Sequence, residues 1–169
     1  MMFDQSLMRL WFDANGRIGR VRFWQGLVVL TVASFIIVAG QTKIGGWFGL
    51  FSYILIYPYI CVFGKRLHDI GRSTWWVIGL FFASLIVQFI LTLFTEPIFR
   101  SPETVALIEK MAVDWEAGNV DLVGSDVERL NNLLLIPNLI SVVVGNAVLG
   151  FFLGRIESDP ADNQYGPRD

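Results

Sequence analysis

Residues 73–95 read STWWVIGLFFASLIVQFILTLFT between Arg72 and Glu96, and this run of 23 uncharged positions decides the fold class. At about 1.5 Å per residue, a helix of that length reaches across a hydrocarbon core of roughly 30 Å. Three further runs behave alike: Arg22 to Lys43 encloses 20 uncharged positions, Lys43 to Lys65 encloses 21, and Arg129 to Arg155 encloses 25. A chain of 169 residues with 17% charged residues lacks the polar surface to cover four such segments in water. The expected fold is an all-α, four-helix transmembrane bundle forming a single membrane domain, with spans near 23–42, 46–64, 74–95 and 131–154.

Composition agrees. Hydrophobic residues make up 54% and mean hydropathy is +0.55, whereas soluble domains carry about a quarter charged residues. Those values exclude a disordered chain, a coiled coil, a collagen and a disulfide scaffold. Cys61 stands alone and His68 is the one histidine, so neither an internal disulfide nor a His/Cys metal cluster is expected. No cofactor and no nucleic-acid partner is expected either.

Lys and Arg fall unevenly. Nine lie in the N-terminal segment (Arg9, Arg17, Arg20, Arg22), the 65–72 connection (Lys65, Arg66, Arg72) and the 155–169 tail (Arg155, Arg168), against four on the other side. Because cytoplasmic flanks retain basic residues, both termini are expected in the cytoplasm and the acidic 96–130 loop outside. The first apolar run is full length and follows a polar 22-residue segment, which predicts an uncleaved anchor. Trp24, Trp75 and Trp76 flank the cytoplasmic ends, and Trp47 the opposite end, as interfacial indoles do.

Within the spans, small and amide residues are the expected seams, because lipid supplies no hydrophobic drive for helix association. Asn146, Gly150 and Gly154 recur every four residues, with Asn138 and Gly145 on a neighbouring strip and Gly79 and Ala83 on the third span. These faces are expected to pack inward, with Asn138, Asn146 and Gln88 bonding across helices; a homo-oligomer through Gly150 and Gly154 is the alternative use. Pro58 and Pro137 each predict a kink or local unwinding. In the outer loop, Ser101-Pro102 reads as an N-cap and first helical position of an amphipathic helix ending near Gly118. Ser125 with Glu128 reads as a capping box opening the fourth helix.

Three polar clusters gather on the side assigned to the cytoplasm. They are GRIGRVRFW at 16–24, KRLHDIGRSTWW at 65–76 and DPADNQYGP at 159–167. In this order they resemble the domain of unknown function 805 family, small multi-pass proteins of bacterial inner membranes, whose members carry a GRxxRxxFW-type entry, a KRLHDxGxSGWW-type turn and an NxYGP-type tail. The resemblance covers about residues 11–95 and 131–167. Thr74 stands where that pattern usually has glycine, the tail has fewer glycines, and the 96–130 loop is longer than in compact members. It implies a location in the bacterial inner membrane and brings no mechanism, since the family's activity is undefined.

Physical reading therefore nominates Arg17, Arg20, Lys65, Arg66, His68, Asp69, Arg72, Asn163 and Tyr165 as an internal latch or a site for an anionic lipid headgroup. Lys65 and Asp69, four apart on a helix, would share a face, and Asp69 or the tail acids would pair with arginines. Neighbours on a helix diverge by about 100 degrees, so His68 and Asp69 form no catalytic dyad, and no serine elbow, phosphate loop or metal spacing points to an enzyme. Non-enzymatic binding or scaffolding with membrane lipid as partner is expected, with a small oligomeric transporter or channel component as the alternative.

Overall fold

A computed structural model describes residues 5–167; Arg168, counted above among the basic residues, lies outside them. The described chain forms α1 (Gln5–Phe12), α2 (Arg20–Ile44), a 3-10 turn (Gly46–Leu50), α3 (Phe51–Asp69), α4 (Trp76–Phe99), α5 (Pro102–Glu116), α6 (Val120–Leu133) and α7 (Leu135–Arg155), with no strand among these residues. Four helices are long and apolar enough to cross a membrane: α2, the 3-10 turn continuous with α3, α4 and α7. Their outward faces carry Phe35, Ile54, Phe82, Phe89, Phe94 and Phe152, all exposed. That much apolar surface is stable only against lipid. Because the spans are even in number, the segments before α2 and after α7 meet at one end of the bundle, with the α3–α4 connection.

The core is concentrated at that end. Phe23, Leu27 and Leu30 of α2, Val62, Phe63 and Leu67 of α3, Leu153 of α7 and Leu10 of α1 form one buried cluster, with Phe23 and Phe63 edge to face at 5.5 Å. α1 reaches the cluster because Gly26 leaves room: a Cβ there would stand 3.1 Å from Val62 and 3.2 Å from Leu10. The N-terminal segment, expected only as a polar lead-in, thus folds as a helix and docks. At the far end α2 turns into α3 at Gly45, whose φ of +117° is open to glycine.

The small-residue seams divide. Gly150 and Gly154 lie buried against α2, where a Cβ on Gly154 would come within 2.8 Å of the Trp24 indole and one on Gly150 within 3.0 Å of it. Trp24 is therefore a strut between α2 and α7 as well as an interfacial residue, and the Gly150–Gly154 face is filled from within the chain. Asn146 bonds across to Tyr59 at 2.8 Å, and Tyr59 meets Ser34 at 3.2 Å. Gly79 and Asn138 do not pack inward; both are exposed, and α4 contains no buried residue.

Two terminus readings also change. Pro58 sits inside α3. Pro137, by contrast, occupies the first turn of α7, where backbone donors lack intrahelical partners anyway, so nothing is lost there. Ser101 caps α5 by accepting from the Thr104 amide at 3.1 Å, and Gly118 follows the helix end with φ of +76°. Ser125, however, lies within α6, its hydroxyl bonded to the Leu122 carbonyl at 2.8 Å, so it opens no helix. The stretch expected to extend the fourth span is a separate helix, paired antiparallel with α5 through Lys110 with Asp126 and Arg129 with Glu103.

The Trp24 strut makes a direct expectation. Gly154→Leu forces the indole aside and should cost about 1–3 kcal/mol. Gly79→Leu, whose nearest neighbour is Trp76 of its own helix at 3.8 Å, should cost nothing. Thermal unfolding of both variants in the same detergent checks the contrast; equal midpoints would show that the α2–α7 seam is slack.

Candidate functional site

The KRLHD run is the last turn of α3, and its termination sets the geometry. Gly71 adopts φ of +73°, and its amide donates to the His68 carbonyl at 3.0 Å, while the Arg72 amide donates to Leu67 at 2.8 Å. This pair of bonds is a Schellman cap, which closes α3 with its final side chains fanned in several directions. Lys65, Arg66, His68 and Asp69 are all buried, Arg66 at 0% and Asp69 at 1% exposure.

Asp69 is the hub. Its Oδ1 faces Arg17 Nη2 at 3.3 Å, its Oδ2 is paired with Arg66 Nη1, and the Ser158 hydroxyl donates to Oδ2 at 2.5 Å. Each arginine also donates to backbone carbonyls. Arg17 donates to Ala161 and to Asp159, both at 2.7 Å, fastening the tail. Arg66 donates to Leu153 at 3.3 Å and Ile156 at 2.5 Å, and Arg20 to Arg155 at 3.0 Å and Ile156 at 3.3 Å. Both thereby cap the C-terminal carbonyls of α7, where the helix dipole favours cations.

The tail completes the assembly. Asn163 donates to the His68 carbonyl at 3.0 Å and, through its own carbonyl, receives the Tyr165 amide at 2.9 Å, bending 163–166 into a tight turn with Gly166 at φ of +127°. That turn lays Tyr165 flat on the His68 ring, centroids 3.8 Å apart and planes 2° from parallel. His68 Nδ1 meets the Gly16 carbonyl at 3.0 Å, and a carbonyl can only accept, so Nδ1 carries the proton. In that neutral tautomer Nε2 accepts from the Thr74 hydroxyl at 2.7 Å. Thr74, the position that departs from the usual glycine, thus has a defined partner, and Gly64 opposite provides its space.

Of the nominated residues, Arg17, Arg66, His68, Asp69, Asn163 and Tyr165 converge. Arg20 joins the rim at α7, and Arg72 stays outside, stacked at 5.8 Å over the Trp76 ring. Lys65 does not face Asp69. Its ammonium points to the other side of α3 and donates to the Arg9 carbonyl at 2.5 Å, capping α1. His68 and Asp69 diverge as helix geometry requires.

Behind Lys65 lies a pocket of about 190 Å³ lined by residues that include Arg9, Asp13, Asn15, Arg17, Arg22 and Lys65. Arg17 Nε is buried without a hydrogen-bond acceptor among the described residues. Asp13, the carboxylate at this pocket, is held below the usual aspartate range by the Asn15 amide, which donates to it at 2.9 Å. Arg9, Asp13 and Arg22 were missed from sequence because they sit on, or pack against, a helix that the polar lead-in did not announce. The spacing Arg9, Asp13 was its available signal.

The hub sets its own test. Asp69→Ala leaves Arg17 and Arg66 buried without their carboxylate and should cost about 3–5 kcal/mol. Limited proteolysis should then cut residues 156–167 at protein concentrations where the unsubstituted chain resists. A tail equally protected in both would refute the latch.

No curated protein and no solved structure matches the chain. A family profile described as "Protein of unknown function (DUF805)" matches residues 11–167. With its three motif clusters folded into one latch, the chain belongs to the DUF805 family.

Proposed function

We propose that this is a non-enzymatic binding or scaffolding protein of the bacterial inner membrane, with its latched face in the cytoplasm, and that the pocket behind Lys65 receives the phosphate of an anionic lipid. The basic bias of that face supports the orientation, since Lys and Arg are retained on the cytoplasmic side. The observation that carries the binding reading is buried donor capacity left over at the pocket, on Arg17 Nε and the Lys65 ammonium. Among the described residues, Asp13 is the carboxylate that lines it. Among the described residues, the buried Lys65 ammonium, with three donors, has one hydrogen-bond acceptor, the Arg9 carbonyl.

A phosphodiester supplies the missing acceptors and is the anion that a bilayer offers at this depth. The latch contributes by fixing Arg17 and Lys65 in place, so that little ordering cost remains on binding. Asp13, kept ionised, leaves the pocket cationic while excluding a second anion.

The test is lipid exchange in nanodiscs. Phosphatidylglycerol should be retained over phosphatidylcholine in native mass spectra. Lys65→Gln should reduce that preference by about tenfold, equivalent to about 1.4 kcal/mol, and raised salt should erode it. Equal retention of the two lipids by the unsubstituted protein would sink the proposal.

A further inference from the structure

We infer that the cavity at the centre of the bundle is a binding site for an uncharged lipid of the quinone class, an apolar body with a planar, carbonyl-bearing ring. The cavity measures about 370 Å³ and is walled by α2, α3, α4 and α7, through Ser34, Tyr59, Phe63, Phe81, Gln88 and Asn146 among others. Several of these residues stand near the middle of their helices, so the space lies at mid-membrane depth. Among the described residues, Tyr59 is the one titratable side chain that lines it, and no Asp, Glu, Lys, Arg or His contributes. A charged occupant would therefore meet no counter-charge where burying charge is most costly.

Two features call for more than an acyl chain. First, Gln88 is exposed on a membrane span, and its side chain makes no hydrogen bond among the described residues; its Nε2 faces Gly145, where a Cβ would stand 3.3 Å away. An amide unpaired in hydrocarbon is costly, and no water is at hand to relieve it. A ring carbonyl accepts from that N–H. Second, the opposite wall is a polar chain, Asn146 to Tyr59 to Ser34, set among aromatic faces of Tyr59 and Phe63 that are stacked at 26°. A planar ring held between Gln88 and this chain would have polar groups at both ends.

Entry is lateral. α4 buries none of its residues and meets α3 only sparsely, whereas α2 and α7 are closely packed. A tail can pass between α3 and α4 into the surrounding lipid. This site is separate from the Lys65 pocket, and its occupant differs in charge.

Decylubiquinone and decylbenzene, which share a tail and differ in the ring's carbonyls, are the probes, added to the full chain in phosphatidylcholine nanodiscs. We expect saturable one-to-one binding of decylubiquinone, at least about tenfold tighter than decylbenzene, with Gln88→Leu abolishing the difference and Lys65→Gln leaving it intact. Equal affinity for the two probes, or no saturable binding of decylubiquinone, overturns the inference and assigns the cavity to acyl chains. The probe comparison needs only the unsubstituted protein, so it decides even where the Gln88 variant fails to fold.

Discussion

The fold closes on one buried carboxylate. Asp69 is 1% exposed and accepts from Arg17, Arg66 and Ser158, which come from the segment before α2, from α3 itself and from the tail. A buried ion pair is a poor source of stability in itself, because desolvation offsets most of the attraction. Here its consequence is register. Once Asp69 fixes the two guanidiniums, their remaining donors point at definite carbonyls, Ala161 and Asp159 for Arg17, Leu153 and Ile156 for Arg66. The end of α7, the tail and the entry to α2 are then placed relative to α3 without contact between the spans having to specify them.

That arrangement leaves the molecule stiff at one end and yielding at the other. At the latched face, apolar packing around Phe23, Phe63 and Leu153 coincides with the polar network. Toward the opposite face the buried residues thin out, and α4 buries none of its residues. The central cavity lies where this gradient begins, between the α2–α7 seam that Trp24 locks and the sparsely buried α4. The mid-membrane site proposed above would thus draw on a part of the structure with few buried contacts.

The spans were legible because charge-free length is a one-dimensional property: four neutral runs sufficed to place α2, α3, α4 and α7. Gly71 and Ser101 were legible for a related reason, since a left-handed cap and a side-chain cap act within a few residues. What sequence withheld depends on contacts between distant segments. Trp24 reads as an interfacial indole until Gly150 and Gly154 are set beneath it. Ser125 carries the capping spacing yet sits inside α6, because the pairing of Arg129 with Glu103 and Lys110 with Asp126 rewards extending that helix backward. Lys65 and Asp69 have the spacing of a helical ion pair, but in the folded chain they take different partners on opposite sides of α3, the Arg9 carbonyl for Lys65 and the guanidiniums of Arg17 and Arg66 for Asp69.

The three motif clusters, though more than 140 residues apart at their extremes, are one physical object. Gly16 and Arg17 come from the first, Lys65 to Thr74 from the second, and Asn163 and Tyr165 from the third. Their chemistry is largely spent on each other: the carboxylate of Asp69, both nitrogens of His68 and the Asn163 amide all have partners within the chain. The anion binding proposed for this face would therefore draw on what the latch leaves over. Those remainders are Arg17 Nε and the unused donors of Lys65, both at the pocket that α1 completes. The motif residues build the wall, and residues outside the most distinctive motif, Arg9 and Asp13, complete the opening.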